Sequence, residues 1–110
     1  MINIIITKKA DDIQSVELKG HSGYADSGKD IVCSAVSAIA QTALMALMDI
    51  SGEVDYQRND GYLKFVCPIS SDKEQHIRQQ AVLRAMEIGL KDLRDGYKGF
   101  IKLEERENVY

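Results

Sequence analysis

The sequence predicts an α+β fold, a two-layer sandwich in which two helices pack on a mostly antiparallel sheet in the order ββαββαβ. Three observations predict it. Two pairs of short apolar or alternating runs are each joined by a tight polar turn. Two longer segments carry apolar residues at spacings of three and four. One final apolar run follows the second of them. No repeat, low-complexity tract or linker interrupts the chain, so residues 1–110 read as a single domain, long enough for one hydrophobic core.

Ile2, Ile4, Ile5 and Ile6 form a β-branched run that meets a turn at Asp11-Asp12. Ile13, Val16 and Leu18 alternate with polar residues in a second strand ending at Gly20, which makes an antiparallel hairpin. Residues 20–29 are glycine-punctuated and too polar to be core. Asp30 is a good helix N-cap, and Val32, Val36, Ile39, Ala43 and Leu47 mark the buried stripe of the helix that follows, with Ser51-Gly52 as its stop. Residues 54–58 and 62–67 flank Asn59-Asp60-Gly61, a strong hairpin signal, and Pro68 closes the second strand. Ser70-Ser71-Asp72 starts the second helix, with Glu74 or Gln75 completing a capping box. Ile77, Ala81, Ala85 and Ile88 share one face of it, and Val82, Met86 and Leu93 an adjoining one. The helix runs to about Tyr97, and Phe100, Ile101 and Leu103 make the last strand before a charged tail.

Composition narrows the function. Hydrophobic residues make up 45% and charged residues 28%, the balance of a soluble globular domain. Residues 31–50 are the longest apolar stretch, yet Cys33, Ser34, Ser37, Gln41, Thr42 and Asp49 break it, which favours a core helix over a membrane span. The first residues lack a basic region and a small-residue cleavage site, so a cytoplasmic location is expected. Fourteen basic residues against seventeen acidic give a net charge of −3, the wrong sign for a general nucleic-acid binder and suited to a basic partner. Two cysteines, Cys33 and Cys67, are too few for a disulfide framework and should be free thiols.

Cys33 falls at the third helical position after the Asp30 cap. Amide groups and the positive end of the helix dipole favour a thiolate there. His21 lies twelve residues earlier, and a loop of that length can fold back to the helix start. A cysteine with a histidine is the minimal nucleophile and base for acyl transfer, and the helix amides can hold an oxyanion. The competing account makes Cys33 a small packed hydrophobe and His21 an ordinary loop residue. Residues 23–30 match the first seven positions of GxxxxGK[ST], but Asp30 in the eighth has no neutral hydroxyl for Mg²⁺ and would repel phosphate. Cys67 reads as structural and His76 as solvent-exposed, and the two cysteines and two histidines lack the spacing of a zinc site.

The block Gly20-His21-Ser22-Gly23-Tyr24-Ala25, followed by Gly28-Lys29-Asp30-Ile31-Val32-Cys33-Ser34-Ala35-Val36-Ser37, resembles the signature of the ribosomal-processing cysteine protease family, Prp. The resemblance covers essentially the whole chain. It implies an endopeptidase that removes the N-terminal extension of a large-subunit ribosomal protein precursor, a basic peptide substrate, a cytoplasmic homodimer, and no cofactor. It places the family histidine on His21, the nucleophile on Cys33, the aspartate on Asp30 and the helix serine on Ser37. From the residues alone, Asp30 either caps the helix or orients His21, and Ser37 lies one turn beyond Cys33 on the same helix face. Gly20, Gly23, Tyr24 and Gly28 mark the substrate loop, and residues 22–29 would close over a bound peptide as a lid. The rival from another class is a non-catalytic dimeric module that binds ribosomal components.

Overall fold

The computed structural model describes residues 1–26 and 29–108. Strand β1 (Ile2–Lys9) pairs antiparallel with β2 (Asp12–Lys19) across Ala10 and Asp11. Asp12 therefore opens β2 rather than sitting in the turn, and Ala10 takes the left-handed conformation (φ 53°). Alternation puts Ile2, Ile4, Ile6, Ile13, Val16 and Leu18 on the buried face, as the period of two requires. Strand β3 (Tyr56–Asn59) pairs antiparallel with β4 (Tyr62–Val66), and β4 with β2. Strand β5 (Ile101–Glu107) runs parallel to β1, giving the order β3-β4-β2-β1-β5. The sheet is thus mostly antiparallel, and its single parallel pair forms where a long helix carries the chain back before β5.

Helices α1 (Ile31–Ser51) and α2 (Lys73–Gly96) pack on the sheet and on each other, running antiparallel. Gln79 at the start of α2 donates to the Ser51 hydroxyl at the end of α1 (2.8 Å). Midway, Gly89 leaves room for Ile39, whose Cδ1 lies 3.2 Å from where a Cβ would stand. Val32, Val36, Ala40, Ala43, Leu44 and Leu47 are the buried face of α1. The helix is long and apolar enough to cross a membrane by composition alone, yet this face is spent on the protein core.

Three local expectations change. Val54 is buried but precedes the strand, and all four residues of β3 are exposed at the sheet edge. Cys67 lies just beyond β4, tied to the sheet by its amide on the Gln14 carbonyl (2.8 Å). No capping box forms at α2. Asp72 caps it through the Glu74 amide (3.1 Å), while Gln75 reaches across to the Ile50 carbonyl (3.0 Å).

The structure decides which face of α2 is covered. Ile77 and Ile88 are each 57% exposed, and Ala81 and Ala85 also face outward. The buried residues are Leu83, Met86 and Leu90, joined by Gln79 and Glu87. Of the two faces that the spacing marks, the one with Met86 turns inward, with Val82 and Leu93 partly buried against the core beside Leu83 and Leu90. Glu87 is buried because Lys8 (2.6 Å), Lys91 (3.4 Å) and Arg84 surround its carboxylate, and a buried charge is tolerated when so paired.

Candidate active site

The end of β2, the start of α1 and the β3–β4 hairpin converge on a pocket of about 270 Å³. Ile2, Leu18, Val36 and Leu63 give it an apolar floor, and Cys33, His21, Ser37, Gln41 and residues 58–61 its rim.

Local chemistry builds the helix start. The Asp30 carboxylate accepts from the Cys33 amide (2.9 Å) and from the buried Ser22 hydroxyl. These bonds, the Ser22 hydroxyl first, hold its carboxyl down at about 2 against the opposing effect of desolvation. Ser22 in turn donates its amide to the Cys33 sulfur (3.2 Å). One buried serine therefore ties the cap, the thiol and the histidine-bearing segment together. Nothing in the sequence pattern singled it out beyond its place beside His21.

Of the two roles open to Asp30, its hydrogen bonds belong to capping, and none reaches His21. The helix amides also differ from expectation as oxyanion donors. Those of Cys33 and Ser34 are already committed to the Asp30 side chain and carbonyl, the latter at 3.1 Å. Ser37 faces the pocket as its spacing suggested, but its hydroxyl accepts from Gln41 (2.5 Å), which itself accepts from Arg58 (3.1 Å).

His21 carries a largely exposed ring whose Nε2 stands 3.9 Å from the Asp60 carboxylate. The same ring lies over Gly61, where an added Cβ would sit 2.7 Å from Nε2. No hydrogen bond joins the imidazole to the Cys33 sulfur, so the two groups share a pocket without touching in this state. Gly20 is needed for packing: its φ is +102°, a Cβ there would strike the Met1 carbonyl at 2.5 Å, and its amide bonds the Gly61 carbonyl (2.8 Å).

Within the loop, Gly23 has a positive φ with open space around it. Tyr24 packs edge-on against Tyr97 and Phe100, with ring centres 5.8 and 5.2 Å away, leaving it 44% exposed. It leans on the end of α2 rather than over the thiol. Gly28, also assigned to the loop, lies outside the described residues. Cys67 is half-buried away from the pocket rim, and burial, reinforced by Asp12, pushes its thiol up to about 11. His76 is partly exposed and pairs with Asp12 (3.0 Å). Among the described residues, no three His, Cys, Asp or Glu side chains converge as a metal set.

A thiol at a helix start that shares an apolar pocket with a histidine has the residue types that cysteine-protease chemistry uses. A family model, cysteine protease Prp, matches residues 1–102. A ribosomal processing cysteine protease Prp of Bacillus subtilis is 30% identical over 94% of this chain and 96% of its own. One from Staphylococcus aureus is 26% identical over 94% and 97%. Among solved structures, the S. aureus Prp protease with a covalently linked product peptide superposes with a TM-score of 0.85, covering 96% of this chain and all of that one at 23% identity. SMU.848 of Streptococcus mutans does so at 0.77, covering 98% and 96% at 27% identity. The chain belongs to the cysteine protease Prp family, and it is an enzyme.

Proposed function

We propose that this protein is a cytoplasmic endopeptidase that removes the N-terminal extension of a large-subunit ribosomal protein precursor, with Cys33 as nucleophile and His21 as base. The observation that carries the reading is the shared pocket: Cys33 and His21 lie on one rim above an apolar floor, with the Ser22 amide on the sulfur. The relatives' name, ribosomal processing cysteine protease, supports a ribosomal substrate.

The chemistry follows from these groups. His21 takes the thiol proton as the sulfur attacks the scissile carbonyl carbon, and the carbonyl oxygen becomes an oxyanion. The C–N bond then breaks, and His21 returns its proton to the leaving amine. The remaining thioester is opened by a water that His21 deprotonates, releasing the carboxylic acid and regenerating the thiol. The Ser22 amide steadies the sulfur while it carries charge, a role suited to a backbone donor already aimed at it. Ser37, fixed by Gln41 and Arg58, shapes the pocket wall one turn below the nucleophile. No cofactor takes part in these steps.

The substrate's basic tail suits the chain's net charge of −3. A homodimer belongs to the same proposal, and the outward stripe of Ile77, Ala81, Ala85 and Ile88 supports it, because such a surface is costly to leave in water. The lid expected over residues 22–29 is proposed for the segment beyond the anchored Ser22, of which residues 23–26 and 29 are described. The test is incubation with the organism's own ribosomal precursor, reading the new N-terminus by mass spectrometry. A single cut near the N-terminus is expected, and an intact precursor would refute the reading.

A further inference from the structure

We infer that Asp60, at the tip of the β3–β4 hairpin, is the positioning residue that aims the His21 imidazole, with Gly61 as the platform beneath the ring. The inference rests on His21 being the base.

A general base needs a third group to hold its ring, and two carboxylates lie near this site. Asp30 is spent: both of its oxygens serve the Ser22 hydroxyl and the Cys33 amide. Asp60 is not. Its side chain is 99% exposed, and among the described residues it pairs with Nε2 of His21, at 3.9 Å. An imidazole that turns Nε2 to a carboxylate leaves Nδ1 as the nitrogen available to take a proton, which is the division of labour a base requires.

Gly61 makes that orientation possible. Its missing side chain leaves the imidazole room to lie against the backbone, since a Cβ would stand 2.7 Å from Nε2, 3.2 Å from Cε1 and 3.3 Å from Cδ2. The tip is not a free loop. The Gly20 amide bonds the Gly61 carbonyl at 2.8 Å, and the β2–β4 register continues directly from it through Lys19 with Tyr62 and Leu18 with Leu63. The residue before His21 and the residue after Asp60 are therefore clamped to each other. Any movement of the hairpin carries the carboxylate and the histidine together, and a peptide entering the pocket would strip water from a contact that is now exposed.

A turn-forming role alone would also place an aspartate before Gly61, and asparagine fills that role equally well. Asp60→Asn therefore removes the charge and keeps the turn. With a fluorogenic peptide spanning the precursor's processing site, Asp60→Asn should lower kcat about 10-fold with KM nearly unchanged, and Asp60→Glu should restore part of it. The wild-type advantage should shrink as salt rises from about 0.02 to about 0.5 M, because an exposed charge contact is screened. A purely structural effect would not respond to salt. Gly61→Ala should cost still more in kcat by displacing the ring, while Asp60→Asn remains informative if that variant fails to fold. Equal kcat and an equal salt response for Asp60→Asn and wild type would overturn the inference, provided His21→Ala is inactive. An active His21→Ala would instead remove the base assignment on which the inference stands.

Discussion

Thiol selectivity offers the sharpest quantitative expectation. Both cysteines are free, yet only Cys33 lines the pocket, and Cys67 is held near 11 by burial. At pH 8 a thiol at about 11 is thiolate in roughly one molecule in a thousand, against about a quarter for an ordinary thiol near 8.5. The more basic thiolate is the better nucleophile, and over that gap the gain is about 10- to 20-fold. The net result is that Cys67 should attack an aromatic disulfide reagent about 10- to 25-fold more slowly than an exposed free thiol, before steric shielding slows it further. Stopped-flow absorbance should resolve a fast phase belonging to Cys33 and a slow one belonging to Cys67. Cys33→Ala should remove the fast phase, and Cys67→Ser the slow phase while leaving cleavage near the wild-type rate. A fast phase that survives in Cys33→Ala would refute the reasoning.

Asp30 should give stability a characteristic acid dependence. Its folded value is depressed to about 2, so its contribution is complete above about pH 4 and disappears as pH falls toward 2. Melting curves of Asp30→Asn should lie below wild type at pH 7 and converge on it at the acid end; parallel curves would contradict the capping role. On α2, Ile77→Glu with Ile88→Glu should shift the sedimentation of the protein to that of a monomer, while a double variant that still sediments as a dimer would move the interface elsewhere. In the loop, a substrate-mimicking peptide attached to Cys33 should slow hydrogen exchange across residues 23–26. Strong protection of those amides in the free protein would point to a preformed site instead.

Much of the fold was legible because local signals agreed with one another. Asp30 before an i, i+3, i+4 pattern fixed α1, and the Asp60-Gly61 turn fixed the second hairpin. The orientation of α2 was not legible. Ile77 and Ile88 are as apolar as Leu83 and Leu90, and only the sheet beneath decides which stripe is covered. Burial of Glu87 was hidden for a related reason, since Lys8, which pairs with it, is far away in sequence. The parallel seat of β5 beside β1 is likewise a product of where α2 delivers the chain.

In the site, Cys33 and His21 stood out through residue type and through resemblance to a family signature. Their shared pocket required the hairpin, whose residues 58–61 carry no signal beyond that of a turn. Ser22 escaped notice because a buried serine in a polar loop looks like any other. Tyr24 was legible only as a member of the substrate loop, and its partners Tyr97 and Phe100 could not be paired with it from spacing alone.

The central claim is that the sulfur of Cys33 forms the acyl intermediate. Rapid quenching of the enzyme with its ribosomal precursor in acid, followed by intact-mass measurement and peptide mapping, tests it directly. A transient thioester to the N-terminal extension is expected on the peptide containing Cys33 and is absent from Cys33→Ala. An adduct on Cys67, or cleavage by Cys33→Ala at the wild-type rate, would contradict it.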